Sequence, residues 1–369
     1  MNYPIYLDHN ATTPCAEEVI AAMLPYFGTH FGNAASKNHP YGWEAEQAVE
    51  EARESIAQLI GAKSKELIFT SGATESINLA IKGVFDLFPG QRQHYITCQT
   101  EHKAVLDTFA QLEQAGAEVT YLPVNSAGEI DLNELEAQVR DHTKMICLMW
   151  ANNETGVIQP MAEIADIVRA NGGILFADCS QSAGKLPLPD ADVMCVSAHK
   201  LGGPPGMGAL LVRNLGLLTP TGGQEQGYRR GTENLPAAIG FATALDAGFA
   251  WVEKAVRLRE LLDAEVTASG GVVVAEASNR LATIGSYRMP GVAASSQLIN
   301  FDMAGIAVSA GSACSSGTLK TSHVLGAMGW DERSASEVVR VSFGADTSES
   351  DIARFLDVWR NIVIRAKAA

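Results

Sequence analysis

The stretch Asp192-Val193-Met194-Cys195-Val196-Ser197-Ala198-His199-Lys200-Leu201-Gly202-Gly203 runs an apolar strand-type segment straight into a Ser-x-His-Lys cluster, with glycines at once behind it. A lysine at the end of a buried strand, beside a serine and a histidine, can be fixed in place with its amine desolvated. That is what an imine-forming lysine requires. A solvated loop lysine fits the same residues, so the choice rests on what surrounds the stretch in the rest of the chain.

Outward from this stretch, short apolar runs alternate with helical spacing. Strands are predicted over 66–70, 95–98, 119–124, 145–150, 174–178, 193–197 and 208–213, and helices over 73–84, 102–115, 132–140 and 161–171. Most of the strand segments lack polar alternation and so read as buried on both faces. The repeated β-α alternation predicts an α/β fold with a mostly parallel sheet covered by helices on both sides. Ligands of such sheets collect at the carboxyl ends of the strands. Residues 1–42 read as an arm, Trp43 to Ala62 as an amphipathic helix and Thr219 to Pro236 as a Gly-rich loop. A long helix over about 237–263 leads into a smaller α+β region with strands at 271–275, 305–309 and 338–343 and a last helix at about 349–366. The expected division is a large domain of 15–250 and a small one of 1–14 with 251–369.

Composition narrows the function class. The chain has 369 residues, 47% hydrophobic and 19% charged, and a net charge of -15. That charge argues against a nucleic-acid backbone or an anionic membrane as main partner. No uninterrupted apolar stretch has the length of a membrane helix. Residues 1–14 carry no basic region ahead of an apolar core, so a cytoplasmic location is expected. None of the six cysteines forms a C-x-x-C pair, so no metal site is expected. No G-x-G-x-x-G follows an early strand, which leaves a dinucleotide-binding reading poorly supported.

Five further stretches carry chemistry. Phe69-Thr70-Ser71-Gly72-Ala73-Thr74-Glu75-Ser76 turns from strand to helix and offers N–H groups and a hydroxyl to an anion, or is a plain N-cap turn. Thr100-Glu101-His102-Lys103 puts a histidine at another such junction, as acid–base or as cap. Asn152-Asn153-Glu154-Thr155-Gly156 sets amides at a strand end, or forms an Asx turn. Asp178 ends an apolar run and needs a cationic partner, either a protonated pyridine nitrogen or a protein side chain. Cys314, in Gly311-Ser312-Ala313-Cys314-Ser315-Ser316-Gly317, reads as an exposed thiol rather than a core cysteine.

Together these residues resemble the cysteine desulfurases of the nitrogen-fixation and iron–sulphur-cluster assembly type, in the class V aminotransferase family of pyridoxal-phosphate enzymes. The resemblance runs in order through Tyr6-Leu7-Asp8-His9-Asn10-Ala11-Thr12-Thr13-Pro14, Phe31-Gly32-Asn33, the Thr70–Ser76 turn, Thr100-Glu101-His102, Asn152–Gly156, Asp178 with Gln181, Ser197-x-His199-Lys200, Arg229-x-Gly231-Thr232-Glu233-Asn234, Gly311–Cys314 and Arg340-Val341-Ser342. It implies the aspartate-aminotransferase-like fold (fold type I) with a seven-stranded sheet, pyridoxal 5'-phosphate as cofactor and a homodimer acting on L-cysteine. Lys200 is implied as the lysine that binds the cofactor and shuttles protons. Asp178 is implied as partner of the ring nitrogen, His102 as the residue against the ring, and Gln181 and Asn153 as ligands of the ring oxygen. Ala73, Thr74, Ser197 and His199 are implied around the phosphate, with Thr232 from the other subunit. Asn33, Asn153 and Arg340 are implied to fix the substrate carboxylate, and Cys314 to take the sulphur as a persulfide. The sulphur would pass to an acceptor or iron–sulphur scaffold protein. The chain departs from the family pattern at Asn33-Ala34, Pro204-Pro205-Gly206 and Ser309-Ala310-Gly311, none of which removes a chemical role. A selenocysteine lyase or another pyridoxal-phosphate lyase of the same fold, and a non-catalytic dimeric partner of sulphur acceptors, are the alternatives. Cys314 favours sulphur abstraction over the first, and Lys200 with Cys314 argues against the second.

Overall fold

The structure is a computed structural model that describes residues 4–311 and 321–368. Seven strands build the main sheet: β1 Leu67–Thr70, β2 His94–Cys98, β3 Glu118–Leu122, β4 Thr143–Met149, β5 Ile174–Asp178, β6 Val193–Ser197 and β7 Gly208–Val212. Their order is β1-β7-β6-β5-β4-β2-β3. Strand β7 runs antiparallel to β1 and β6, and every other neighbouring pair is parallel. The seven segments predicted from apolar runs are these strands, displaced by a residue or two at their ends.

Side-chain alternation explains why the runs are continuous. Ile146, Leu148, Leu175, Ala177, Met194 and Val196 pack to one face, together with residues of the helices Pro40–Leu59, Met161–Ala170 and Leu235–Asp246. Met145, Cys147, Ile174, Phe176, Val193 and Cys195 pack to the other, against the helices Ala73–Asp86 and Lys103–Gln114. Successive residues of a strand point to opposite faces. With helices on both sides each face must be apolar, and burying one such side chain contributes about 2 kcal/mol.

A second, three-stranded antiparallel sheet has Ile284–Arg288 at its centre, between Val272–Val273 and Val338–Ser342. It is covered by Val252–Ala268 and Glu349–Ala368, around Leu262, Tyr287, Phe301, Phe355 and Trp359. The amino-terminal arm joins this part of the molecule. Ile5–Tyr6 pairs in parallel with Ile306–Ala307, and Asp8 bridges to Ser342 on the strand that carries Arg340.

The structure corrects several expectations. The single long helix over about 237–263 is two helices, Leu235–Asp246 and Val252–Ala268. Gly248, at φ +73°, breaks it in the left-handed conformation that ends helices. The helix expected from Trp43 begins at Pro40, where proline's fixed φ suits the first turn and the His39 side chain accepts from Gly42 N–H. The strand Ile284–Arg288 has no counterpart in the sequence reading, because Gly285 and Ser286 interrupt its apolar run.

Candidate active site

A cavity of about 370 Å³ opens at the carboxyl ends of the parallel strands. It has the size of a small-molecule site. The chain turns that follow β1, β2, β4, β5 and β6 supply most of its wall, and the amino-terminal arm and the second sheet close it through Asn10 and Arg340. Among the residues singled out from the sequence, it brings together Ala73, Thr74, His102, Asn153, Asp178, Gln181, Ser197, His199, Lys200 and Arg340.

After β1, Gly72 is the N-cap of the helix Ala73–Asp86, with φ 146° and ψ -179°. Only glycine adopts that backbone readily. The first intrahelical bond runs from Ser76 N–H to Gly72 O, 3.1 Å, which leaves the N–H groups of Ala73, Thr74 and Glu75 free of helical partners. Glycine is also needed opposite. A Cβ on Gly208 would sit 2.6 Å from Gly72 Cα, so β7 can approach the turn only without a side chain there. Helix N–H groups, the Thr74 hydroxyl and the neighbouring Ser197 and His199 form a site suited to a phosphate.

After β2, His102 caps the helix Lys103–Gln114, its Nδ1 accepting from Ala104 N–H at 3.1 Å. The neutral ring therefore carries its proton on Nε2. Burial, and then the charge of Lys200, hold its pKa below the ordinary value. After β5, Asp178 is buried. Ser180 N–H, the Ser180 hydroxyl and the Cys195 thiol all donate to its Oδ1. Gln181 donates to Asn10 O at 3.2 Å, while its buried Oε1 has no partner among the described residues. After β6, Lys200 ends the turn Ala198–Lys200 and is half-buried. His199 Nδ1 lies 3.1 Å from Thr12 Oγ1, and burial, then Lys200, lower its pKa. On the far wall Arg340 donates to Asn153 O at 3.0 Å and to Asp8 Oδ1 at 2.7 Å.

Two of the predicted residues are not brought into this cavity. Asn33 lines a separate aromatic cavity with Phe31, Tyr41 and Asn234, and Thr232 is exposed on the loop beside it. Cys314 lies outside the described residues, although Gly311 and His323, on either side of that segment, both line the main cavity. Sequence reasoning missed Asp8, Asn10, Glu154 and His323. The first three fall inside the quoted motifs without a role. His323 has only a Ser N-cap before it as a signal, and its Nε2 lies 2.9 Å from Glu101 O. Glu101 itself is fully buried, and burial raises its pKa well above the usual carboxyl range. Among the described residues no His, Cys, Asp and Glu cluster could hold a metal ion.

A lysine at a strand end, a buried carboxylate one strand away, an anion-binding helix start and an amide atom left unsatisfied are what a pyridoxal-phosphate site needs, and they fit that group. Comparison with known proteins gives the same class. The aminotransferase class-V family matches residues 5–355. A protein of Anaeromyxobacter sp. (strain Fw109-5) named cysteine desulfurase IscS is 43% identical over 365 residues, covering 95% of this chain and 90% of its own. Among solved structures, a NifS-like protein superposes with a TM-score of 0.92 at 33% identity, over 98% of this chain and 100% of its own. A second, SspA in complex with cysteine, gives 0.83 at 32% identity over 92% and 98%. The chain belongs to the class-V aminotransferase family. Its fold is that of the fold-type I pyridoxal-phosphate enzymes, and its cofactor is pyridoxal 5'-phosphate.

Proposed function

We propose that the protein is a cysteine desulfurase, which takes sulphur from L-cysteine, releases L-alanine and leaves a persulfide on Cys314. The observation that carries this reading is the convergence of Lys200, His102, Asp178 and Arg340 on one cavity that Gly311 also lines. Cys314 follows Gly311 by only three residues. The relatives named cysteine desulfurase and the neighbour solved with cysteine support the same reading.

Bound pyridoxal phosphate supplies an electron sink for charge developing at the substrate α-carbon. Lys200 holds it and moves the α-proton. Asp178 stabilises positive charge on the ring nitrogen, while Gln181 and Asn153 serve the ring oxygen. The helix start at Ala73–Thr74, with Ser197 and His199, takes the phosphate. His102 holds a proton at Nε2 for transfer, and Arg340 with Asn153 orients the substrate carboxylate. The Cys314 thiolate attacks the substrate sulphur. The carbon–sulphur bond breaks with its electron pair left on carbon, that carbon takes up a proton to become the methyl group of L-alanine, and the sulphur stays on Cys314 as the persulfide.

The reading includes a homodimer. Phe27, Phe31, Tyr41 and Trp43 are all more than half exposed, and Phe31 and Tyr41 stack at 5.0 Å. Monomer surfaces seldom carry such an aromatic group without a partner. In that dimer Thr232, exposed on the loop beside this group, would serve the other subunit's phosphate site. Asn33, in the same aromatic cavity, keeps a place in the proposal only through that dimer. The division into 15–250 and 1–14 with 251–369 is part of the proposal, supported by the separate apolar clusters under the two sheets. The sulphur passes to an acceptor or iron–sulphur scaffold protein. A cytoplasmic location goes with the reading, because a catalytic thiol has to be regenerated in a reducing compartment. The test is an assay of L-alanine and sulphide from L-cysteine with reductant present. Equal amounts of both are expected from the protein and neither from Lys200→Ala. A cofactor-loaded protein that releases no alanine would refute the assignment.

A further inference from the structure

Arg340 already has an anionic partner before any substrate arrives. Its Nη2 donates to Asp8 Oδ1 at 2.7 Å, its Nη1 donates to Asn153 O at 3.0 Å, and its Nε is buried without a partner among the described residues. The pair is secluded, with side-chain exposures of 8% for Arg340 and 19% for Asp8. Asp8 is not a loose surface acid that swings in by chance. Its backbone bridges to Ser342, two residues from Arg340 on the same strand. The Tyr6 hydroxyl donates to Asp8 O at 3.1 Å, and Asn10 N–H donates to Ser342 Oγ at 2.9 Å. The arm is thus tied on both sides of Asp8, and the carboxylate is held against Arg340, which lines the cavity.

A buried guanidinium without a counter-ion is costly, so Asp8 stabilises Arg340 where no other anion pairs with it. The same contact opposes a ligand. A substrate carboxylate docking on Arg340 meets a neutralised cation and a second carboxylate on the same guanidinium, and like charges repel. We propose that Asp8 is a built-in rival of the substrate carboxylate, a residue that sets the affinity of the site by holding Arg340 in a pair that the amino acid must share or displace. This rests on the assignment of Arg340 to the carboxylate. It predicts a site that binds amino acids loosely and lets product leave, and one that disfavours substrates with a second acidic group.

The test uses the cofactor-loaded protein and L-serine, the hydroxyl counterpart of cysteine, which has no sulphur to lose. Its dissociation constant is measured by equilibrium dialysis. Asp8→Asn keeps the shape and one acceptor but removes the charge. It is expected to tighten L-serine binding by about tenfold or more, since Coulomb repulsion between two carboxylates about 6 Å apart at an effective dielectric of about 20 corresponds to about a hundredfold, less what Asp8 loses of its hold on Arg340. Asp8→Ser, a smaller neutral side chain, should tighten it similarly, so a folding defect in one variant leaves the other decisive. Unchanged or weaker binding in the folded Asp8 variants overturns the rivalry and leaves Asp8 a residue that merely orients Arg340. Arg340→Gln separates the underlying assignment. It should weaken L-serine at least tenfold, and if it does not, the carboxylate site lies elsewhere and the inference falls with it.

Discussion

Glu225 is the most informative side chain to remove away from the cavity. It sits in the Gly-rich loop, and both its oxygens bond the guanidinium of Arg53, at 2.7 and 3.0 Å. Its Oε2 also accepts from Phe69 N–H at 2.7 Å. The side chains of Arg53 and Glu225 are 6% and 1% exposed. Glu225 and Gln226 have φ values of +49° and +57°, which non-glycine residues rarely adopt. The ion pair therefore holds a turn that the backbone alone would not favour. Glu225→Ala takes from the Arg53 guanidinium its buried counter-ion, leaving it only the exposed Glu50 and Leu67 O, and leaves the buried Phe69 N–H unmatched, a loss of about 3–4 kcal/mol. A chain of 369 residues has a melting entropy of about 0.8 kcal/mol/K, so the midpoint should fall by about 5 °C.

Calorimetry of Glu225→Ala, and of Arg53→Met combined with Glu225→Gln, makes the reasoning testable. The double variant removes both charges and keeps an acceptor for Phe69 N–H, so it should recover at least half of the loss. Additive losses, or a midpoint within about 1 °C of the parent, would refute the claim that an unpaired buried charge is the cost. The effect should also reach the cofactor. The loop continues to Arg229, which bonds Glu75 at 3.1 Å, and Glu75 in turn accepts from Ser71 N–H at the anion turn. Pyridoxal phosphate should then leave Glu225→Ala faster than the parent when dialysed against a competing carbonyl reagent. An equal rate would show that the loop does not brace the phosphate site.

Two shorter predictions follow from other parts of the chain. Cys314→Ser should keep the visible absorption of the bound cofactor and lose sulphide release from L-cysteine, while full activity would remove Cys314 from the chemistry. His94 is buried between Thr143 and Thr120, each 2.8 Å from a ring nitrogen. Burial, helped by Arg140, pushes its pKa down from 6.5 to about 4. The unfolded chain binds the extra proton first, so this stability is fully present above about pH 6.5 and is lost as pH falls toward 4. About 2 kcal/mol should disappear between pH 7 and pH 5. His94→Gln should flatten that part of the urea-midpoint profile, and an unchanged slope would exclude His94 as its source.

How far the sequence could be read depends on the range of the interactions involved. The main sheet was legible because both faces are apolar, so each strand announces itself locally without reference to its neighbours. The turns at Gly72 and His102 and the aspartate at Asp178 were legible for a related reason. They follow those strands directly, and parallel strands bring their carboxyl ends to one edge. The strand Ile284–Arg288 was not legible. Its neighbours Val272–Val273 and Val338–Ser342 are local runs, whereas Gly285 makes sense only once Tyr287, at 0% exposure, is packed against it, and Ser286 only once its hydroxyl donates to Glu154 O on the opposite face.

The contacts that make the site specific are the long-range ones. Asp8 meets Arg340 across 332 residues and His323 meets Glu101 across 222, and no periodicity relates such pairs. Asp8 stood inside a motif that pointed to the family, yet its partner could not be read from spacing. The consequence is general for this architecture. Strand ends, which are local, define the cofactor's surroundings. The arm and the second sheet, which arrive from both termini of the chain, define what the cofactor's substrate encounters. A substitution in the arm at Asp8 should therefore change which amino acids bind, and how tightly, while leaving the cofactor's absorption as it was. A substitution at Asp178 should do the reverse.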